Sequence, residues 1–238
     1  MDFDFSPEQE LLRNSARDFA ESVVAPRVAE MEETDDMPQV ILQEMANQGF
    51  MGVCVPQEWG GAGLGHLARL IILEEVGRVS ATVAMTLQVA QLGVAPLVDF
   101  GTPEQQQKHL PALAQGQQLA ALALTEASGG SDPAGLQTMA RADGDNFVLN
   151  GRKVFITNSH ISDLTIVVAR TGEGPRDFAA FFIEKDRPGL RPGRKEHKFG
   201  MKGCNTGEVI LQDCVVPKDN IIGGPGGGLR VALKAIGE

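Results

Sequence analysis

Thr138-Met-Ala-Arg-Ala-Asp-Gly-Asp-Asn-Phe-Val-Leu-Asn-Gly-Arg-Lys-Val-Phe-Ile-Thr157 is the stretch that decides the fold. Short β-rich runs at 138–142, 146–149 and 152–157 are separated by Asp143-Gly144 and Asn150-Gly151. Both dipeptides tolerate positive φ, so each predicts a two-residue hairpin turn. The same grammar continues at 164–170, 178–184 and 208–216, and a meandering antiparallel sheet, closed as a barrel or packed as a sandwich, is expected from residue 119 onward.

Upstream the pattern is helical. Ser6-Pro7-Glu8-Gln9 places a Ser cap before a Pro at the first helical position, with Gln9 able to close a capping box. Leu12, Ala16, Phe19 and Val23 then form one apolar stripe. Further helices are predicted over 38–48, 66–79, 81–98 and 103–114, the last capped by Thr102 before Pro103. Residues 81–98 are apolar on nearly every face, so that helix must be enclosed by others, which implies a bundle. The fold class is therefore α+β and multidomain: a helical N-terminal domain over 1–118, a β-domain over 119–226, and the start of another helix over 227–238. Gly223-Gly-Pro-Gly-Gly-Gly228 reads as a mobile linker into that helix, inside which the sequence stops. A third helical segment is expected beyond it, so the chain reads as a cut or proteolysed protein or as a subunit completed by a partner.

Bulk properties narrow the function classes. With 31 acidic against 21 basic residues the formal charge is −10, and no Lys/Arg run interrupts it. Such a chain repels nucleic acid and anionic membranes. Cys54, Cys204 and Cys214 lie far apart, without a CxxC pair or zinc-ligand histidine spacing, so neither a disulfide framework nor a metal site is expected. Met1-Asp-Phe-Asp-Phe5 is acidic where a signal peptide is basic and apolar, which points to the cytoplasm. The apolar run 81–98 is interrupted by Thr82, Thr86, Gln88 and Gln91 and reads as a buried helix, not a membrane span.

Candidate chemistry gathers in two segments. Gly60-Gly-Ala-Gly-Leu-Gly65 fails the G-x-G-x-x-G spacing and follows no strand of a βαβ unit, so it is set aside as a dinucleotide loop. Leu122-Ala-Leu-Thr-Glu-Ala-Ser-Gly-Gly-Ser-Asp132 is a strand ending in a small-residue turn that offers hydroxyls and open backbone N–H groups. Such donors suit the polar edge of a flat heterocycle, and equally an ordinary polar turn. In Asn150-Gly-Arg-Lys-Val-Phe-Ile-Thr-Asn158 strict alternation puts Phe155 and Thr157 on one face, an aromatic plate beside a hydroxyl.

Together these segments resemble the acyl-CoA dehydrogenase family, which carries a TEPxxGSD-like loop followed by an NGxKxxITN-like strand. Pro56-Gln-Glu-Trp-Gly-Gly-Ala-Gly63, Gly101-Thr-Pro-Glu-Gln105, Lys198-Phe-Gly-Met-Lys-Gly203 and Val215-Val-Pro217 before Gly226-Gly-Gly-Leu229 extend the resemblance along the whole chain. It implies an FAD enzyme that desaturates an acyl-CoA at the α,β bond and passes electrons to an electron-transfer flavoprotein. By that similarity Leu122, Ala123, Leu124 and Thr125 flank the pyrimidine side of FAD. Gly130 and Ser131 belong to the cofactor loop, with Ser131 also touching the substrate's pantetheine arm. Phe155, Ile156 and Thr157 flank the dimethylbenzene and N5 region. Asp132 and Glu126 are expected to fix the loop. No catalytic residue is assigned, because in this family the base usually comes from a C-terminal helical domain. Where the family often has an aromatic, a Pro and a Trp, this chain has Leu122, Ala127 and Phe155, which leaves the acyl group open. The resemblance also implies a homo-oligomer, or a complementary subunit supplying the missing helices. The rival readings are a family member with altered chemistry, nitroalkane oxidase-like or reductase-like, and a non-catalytic half-site subunit.

Overall fold

The computed structural model describes residues 4–237, so the leader reading at the extreme N-terminus falls mostly outside the described residues. The described residues form two compact units: 4–88, 111–117 and 197–204 in one, and 89–110, 118–196 and 205–237 in the other.

The first unit is helical. α1 (Pro7–Phe19) begins as its sequence dictates: the Ser6 hydroxyl accepts from the Gln9 N–H at 3.3 Å while the Ser6 N–H donates to the Gln9 side chain at 2.9 Å. These reciprocal bonds satisfy two N–H groups that helical pairing leaves open. The apolar stripe then departs from a uniform 3.6-residue period. A π-helical turn at Ala20–Val24 adds one residue to the turn, so Val24, not Val23, is fully buried. α2 (Val28–Thr34) and α3 (Gln39–Asn47) follow, then α4 (Gly65–Val79), which packs along α1. The buried Glu75 carboxylate of α4 takes both an Nη and the Nε of Arg17 at 2.6 and 3.0 Å. α5 (Ala81–Phe100) and α6 (Pro103–Ala114) come next in the chain, and residues 89–100 and 103–110 of them belong to the second unit. By length and composition α5 could cross a membrane, but 56% of its most apolar stretch is buried inside the protein, as the enclosed-helix reading requires.

The second unit is built on an eight-stranded sheet. Its strands are β1 (Ala120–Ala123), β2 (Met139–Asp143), β3 (Asn146–Thr157), β4 (Leu164–Arg170), β5 (Phe178–Glu184), β6 (Leu190–Lys195), β7 (Thr206–Pro217) and β8 (Ile221–Ile222). The spatial order is β6-β7-β3-β2-β4-β5-β8, with β1 added beside β4. α+β architecture is confirmed, but two parts of the strand reading are corrected. The sheet is mixed and open, not an antiparallel barrel: β4 crosses past β3 to lie beside β2, so β2–β4 and β1–β4 are parallel, and β6 and β8 remain at opposite ends. A crossover between non-neighbouring strands leaves no mark in local turn chemistry.

The second correction concerns Asn150-Gly151. The hairpin at Asp143 forms, with Gly144 at φ +56 between the paired Asp143 and Asn146. β3, however, runs straight through Asn150 and Gly151. The Asn150 side chain bonds Asp213, a residue at φ +48 where β7 bulges, through contacts of 2.8 and 3.0 Å. Gly151 is needed for a different reason: a Cβ there would lie 2.3 Å from the Thr138 Oγ1. The core of this unit joins Ala121, Leu149, Ile156, Val167, Phe181, Val209 and Val216. α7 (Gly228–Gly237) packs on β5, and its first residue meets the Ala179 backbone closely enough to exclude a side chain.

Candidate functional site

β1 is wholly buried, and Gly93 of α5 comes so close to it that a Cβ would lie 2.7 Å from that of Ala120. The close approach leaves no room for a side chain at Gly93 beside Ala120. Beyond β1 the chain leaves the sheet as a loop over residues 124–138 that is held along its whole length. The Thr125 carbonyl accepts from the Val154 N–H of β3 at 2.9 Å. Glu126 and Gly129 exchange two backbone bonds of 3.1 Å, which leaves Ala127 and Ser128 exposed at the tip of a two-residue turn. The Asp132 carboxylate accepts from the Ala134 N–H at 3.0 Å. From β4, Arg170 donates to the carbonyls of Ala134 and Leu136 at 2.8 and 3.2 Å.

Inside this loop lies a buried ion pair. Lys153, in β3, is completely buried, and its Nζ donates to a Glu126 oxygen at 2.6 Å and to the Leu124 carbonyl at 3.0 Å. Glu126 is 7% exposed and also accepts from the N–H groups of Gln137 at 2.7 Å and Thr138 at 3.1 Å. Burial alone would raise the Glu126 pKa, but the Lys153 charge and these donors outweigh it and hold the carboxyl below its usual range. Burial pushes Lys153 down to about 8 against the pull of Glu126.

Two residues beyond Lys153 stands Phe155. It is a non-glycine residue at φ +57, placed where β3 bulges against β7, and it is 65% exposed. Left-handed backbone at an aromatic residue is strained, and such strain collects at functional sites. The ring lines a cavity of about 570 Å3 together with Glu126, Ser128, Thr138, Arg152 and Arg194. Arg152 is steadied by the buried Glu208 carboxylate, which also accepts from the Arg194 N–H at 3.1 Å. The Arg152 hydrogen bond is the main reason the Glu208 pKa is lowered.

The candidate residues separate accordingly. Phe155 and the turn at 126–128 share the cavity wall. Leu122, Ala123 and Leu124 have buried side chains, so what they offer a ligand is backbone. Thr125 is half-buried, while Gly130 and Ser131 are exposed on the loop outside the cavity wall. Ile156 belongs to the sheet core, and Thr157 is half-buried, paired with Thr206. The bulge falls between Lys153 and Ile156, so the alternation that relates Phe155 to Thr157 is not continuous with that of the residues before it. Glu126 and Asp132 fix the loop as expected. Lys153 and Arg152 went unassigned, since a lysine inside a strand carries no sign of whether its partner is water or a buried carboxylate.

Two family profiles match this chain: "Acyl-CoA dehydrogenase, N-terminal domain" over residues 6–117 and "Acyl-CoA dehydrogenase, middle domain" over residues 121–214. An acyl-CoA dehydrogenase of Bacillus subtilis is 39% identical over 229 residues, covering 95% of this chain and 60% of its own length. Butyryl-CoA dehydrogenase from Megasphaera elsdenii superimposes with a TM-score of 0.95 at 34% identity, covering 99% of this chain and 63% of that one. The acyl-CoA dehydrogenase of Bacillus anthracis, solved in complex with FAD, gives a TM-score of 0.91 at 38% identity, covering 98% of this chain and 41% of that one. The chain thus spans about three fifths of the length of the curated relatives it matches.

Proposed function

Because this chain belongs to the acyl-CoA dehydrogenase family, we propose that it forms the N-terminal and middle domains of an FAD-dependent enzyme that oxidises an acyl-CoA thioester at its α,β bond. The observation that carries the reading is the exposed Phe155 ring, turned out of the sheet by a strained bulge beside a two-residue turn. A flat apolar plate next to small residues and open backbone fits an isoalloxazine ring, which needs stacking on one face and donors at its edge. FAD, when bound, supplies the two-electron acceptor for the desaturation.

The chain's own residues do the holding. Phe155 offers a ring face, Thr125 and Thr157 end the two segments that would border the heterocycle, and Ser131 sits exposed on the loop for contacts to cofactor and to the pantetheine arm. Glu126 is one of three carboxylates lining the cavity, with Glu196 and Glu208, but Lys153 and two backbone N–H groups engage it, so it is structural and is not proposed as the base. The base, the acyl pocket and the face that meets an electron-transfer flavoprotein require more than the residues assigned to this surface. An assembly of several copies, or with a complementary helical subunit, is part of the same proposal.

A titration of the purified chain with FAD, followed by quenching of flavin fluorescence, tests the reading. Saturable binding that weakens when Phe155 is replaced supports it. Flavin fluorescence that does not change as the chain is added, while its circular dichroism shows the expected fold, overturns it.

A further inference from the structure

Two opposite charges have been taken into the interior beside β3 although the protein gains little stability by it. The desolvation of a buried lysine and carboxylate commonly cancels their attraction, and apolar replacements of similar volume are often neutral or stabilising. What the pair does that apolar side chains cannot is collect backbone groups from both ends of one loop. Lys153 binds the Leu124 carbonyl where the loop leaves β1, and Glu126 binds the N–H groups of Gln137 and Thr138 where the loop returns to β2. Glu126 is also half of the backbone pair that shapes the turn at Ala127 and Ser128. Lys153 lies two residues from Phe155 on the same strand. Loop entry, tip and exit are therefore all referred to the strand that carries the exposed ring.

We infer that the Glu126–Lys153 pair is a positioning device that sets the 124–138 loop against Phe155, so that both sides of the flavin surface are formed before the cofactor arrives. The inference rests on the FAD reading above. Preorganisation of this kind raises affinity because ordering is not left to the binding step.

The test compares the parent chain with Glu126→Gln, Lys153→Met and the double variant Glu126→Leu/Lys153→Met. Melting without FAD, amide hydrogen exchange over residues 124–138 and FAD affinity are measured on each. Each single variant leaves one buried charge unpaired and should lower both melting temperature and affinity. The double variant removes both charges and should melt above either single variant. It still lacks an acceptor for the Gln137 and Thr138 N–H groups, so their exchange should quicken by about tenfold or more and FAD affinity should fall by a similar factor, the effect of one lost charged hydrogen bond. A merely structural pair predicts that affinity recovers together with melting temperature. A double variant that binds FAD within about twofold of the parent therefore overturns the inference and leaves the FAD reading standing. A parent chain that protects these amides yet does not bind FAD overturns the FAD reading, and the inference with it.

Discussion

Replacing Phe155 by alanine and, separately, by glycine divides the backbone strain from the work of the ring. Both variants lose the same side chain and differ only in how they tolerate φ +57. An L-residue in the left-handed region costs about 1–2 kcal/mol, whereas glycine escapes that cost but gives up about 0.5–1 kcal/mol of extra freedom on folding. Phe155→Gly should therefore be more stable than Phe155→Ala by roughly 0.5–1 kcal/mol, the reverse of the order inside a regular strand. For a protein of this size that is about 1–4 °C in the melting midpoint, readable by calorimetry. The ligand follows a different sum. With the residue 65% exposed, about 130 Å2 of a roughly 200 Å2 side chain is open, and covering one face removes about half of that from water. At ~25 cal/mol per Å2 the stacked face contributes about 1.6 kcal/mol, so both variants should bind FAD about 15-fold more weakly. Alanine outlasting glycine would refute the strained bulge, and unchanged FAD affinity in both would refute the ring as a platform.

Gly151→Ala should lower stability by about 1–3 kcal/mol, because its Cβ would lie 2.3 Å from the Thr138 Oγ1; a melting point equal to the parent's would disprove the close approach. In the helical unit, the Arg17 hydrogen bond, aided by Arg17 and Arg78 charge, holds the Glu75 carboxyl below its usual range against burial. A depressed carboxyl pKa gives stability that is present above the ordinary value of 4.5 and disappears as pH falls through the folded-state pKa. Glu75→Gln should thus cost about 1–2 kcal/mol at pH 7, allowing for the half-exposed Arg17, and the gap to the parent should close in melts below pH 4.5; a gap independent of pH would mean that the carboxylate's charge is not what stabilises α1 against α4.

What was legible in the sequence was what local chemistry decides. The Ser6–Gln9 capping box formed, and so did its counterpart at α6, where Thr102 and Gln105 exchange bonds of 3.0 and 3.3 Å. Both depend on residues three apart, so no tertiary contact needs to be known. The helices from α3 to α6 lie within a few residues of their expected bounds for the same reason. The parallel pairings of β4 were hidden because they join segments far apart in sequence, and Val23 gave way to Val24 because nothing in the composition announces a π-helical turn. The family motifs drew attention to this loop and strand, but they did not show that Lys153 is buried, since its partner Glu126 lies 27 residues away.

The exposure of Phe155 is the most instructive of these differences, because it comes from two irregularities that offset each other. Leu149 pairs with Cys214 and Gly151 with Leu211, so β7 has one extra residue between them, at the bulge that holds Asp213; Lys153 pairs with Val209 and Ile156 with Gly207, so there β3 has the extra residue. Successive side chains of a strand alternate between faces, and counting in twos from the buried Leu149 reaches Gly151, Lys153 and then Phe155. Without the second bulge Phe155 would enter the same interior as Lys153. With it, the phase advances by one, and Ile156 joins Leu149 in the core although seven positions, an odd number, separate them. The aromatic plate is turned to the surface by the same step that returns β3 to its original register with β7. Asn150, whose side chain fastens the first bulge through Asp213, therefore helps keep the interval in which Lys153 faces inward and Phe155 does not. An Asn-Gly pair that reads locally as a turn instead secures the strand on which the proposed flavin surface depends.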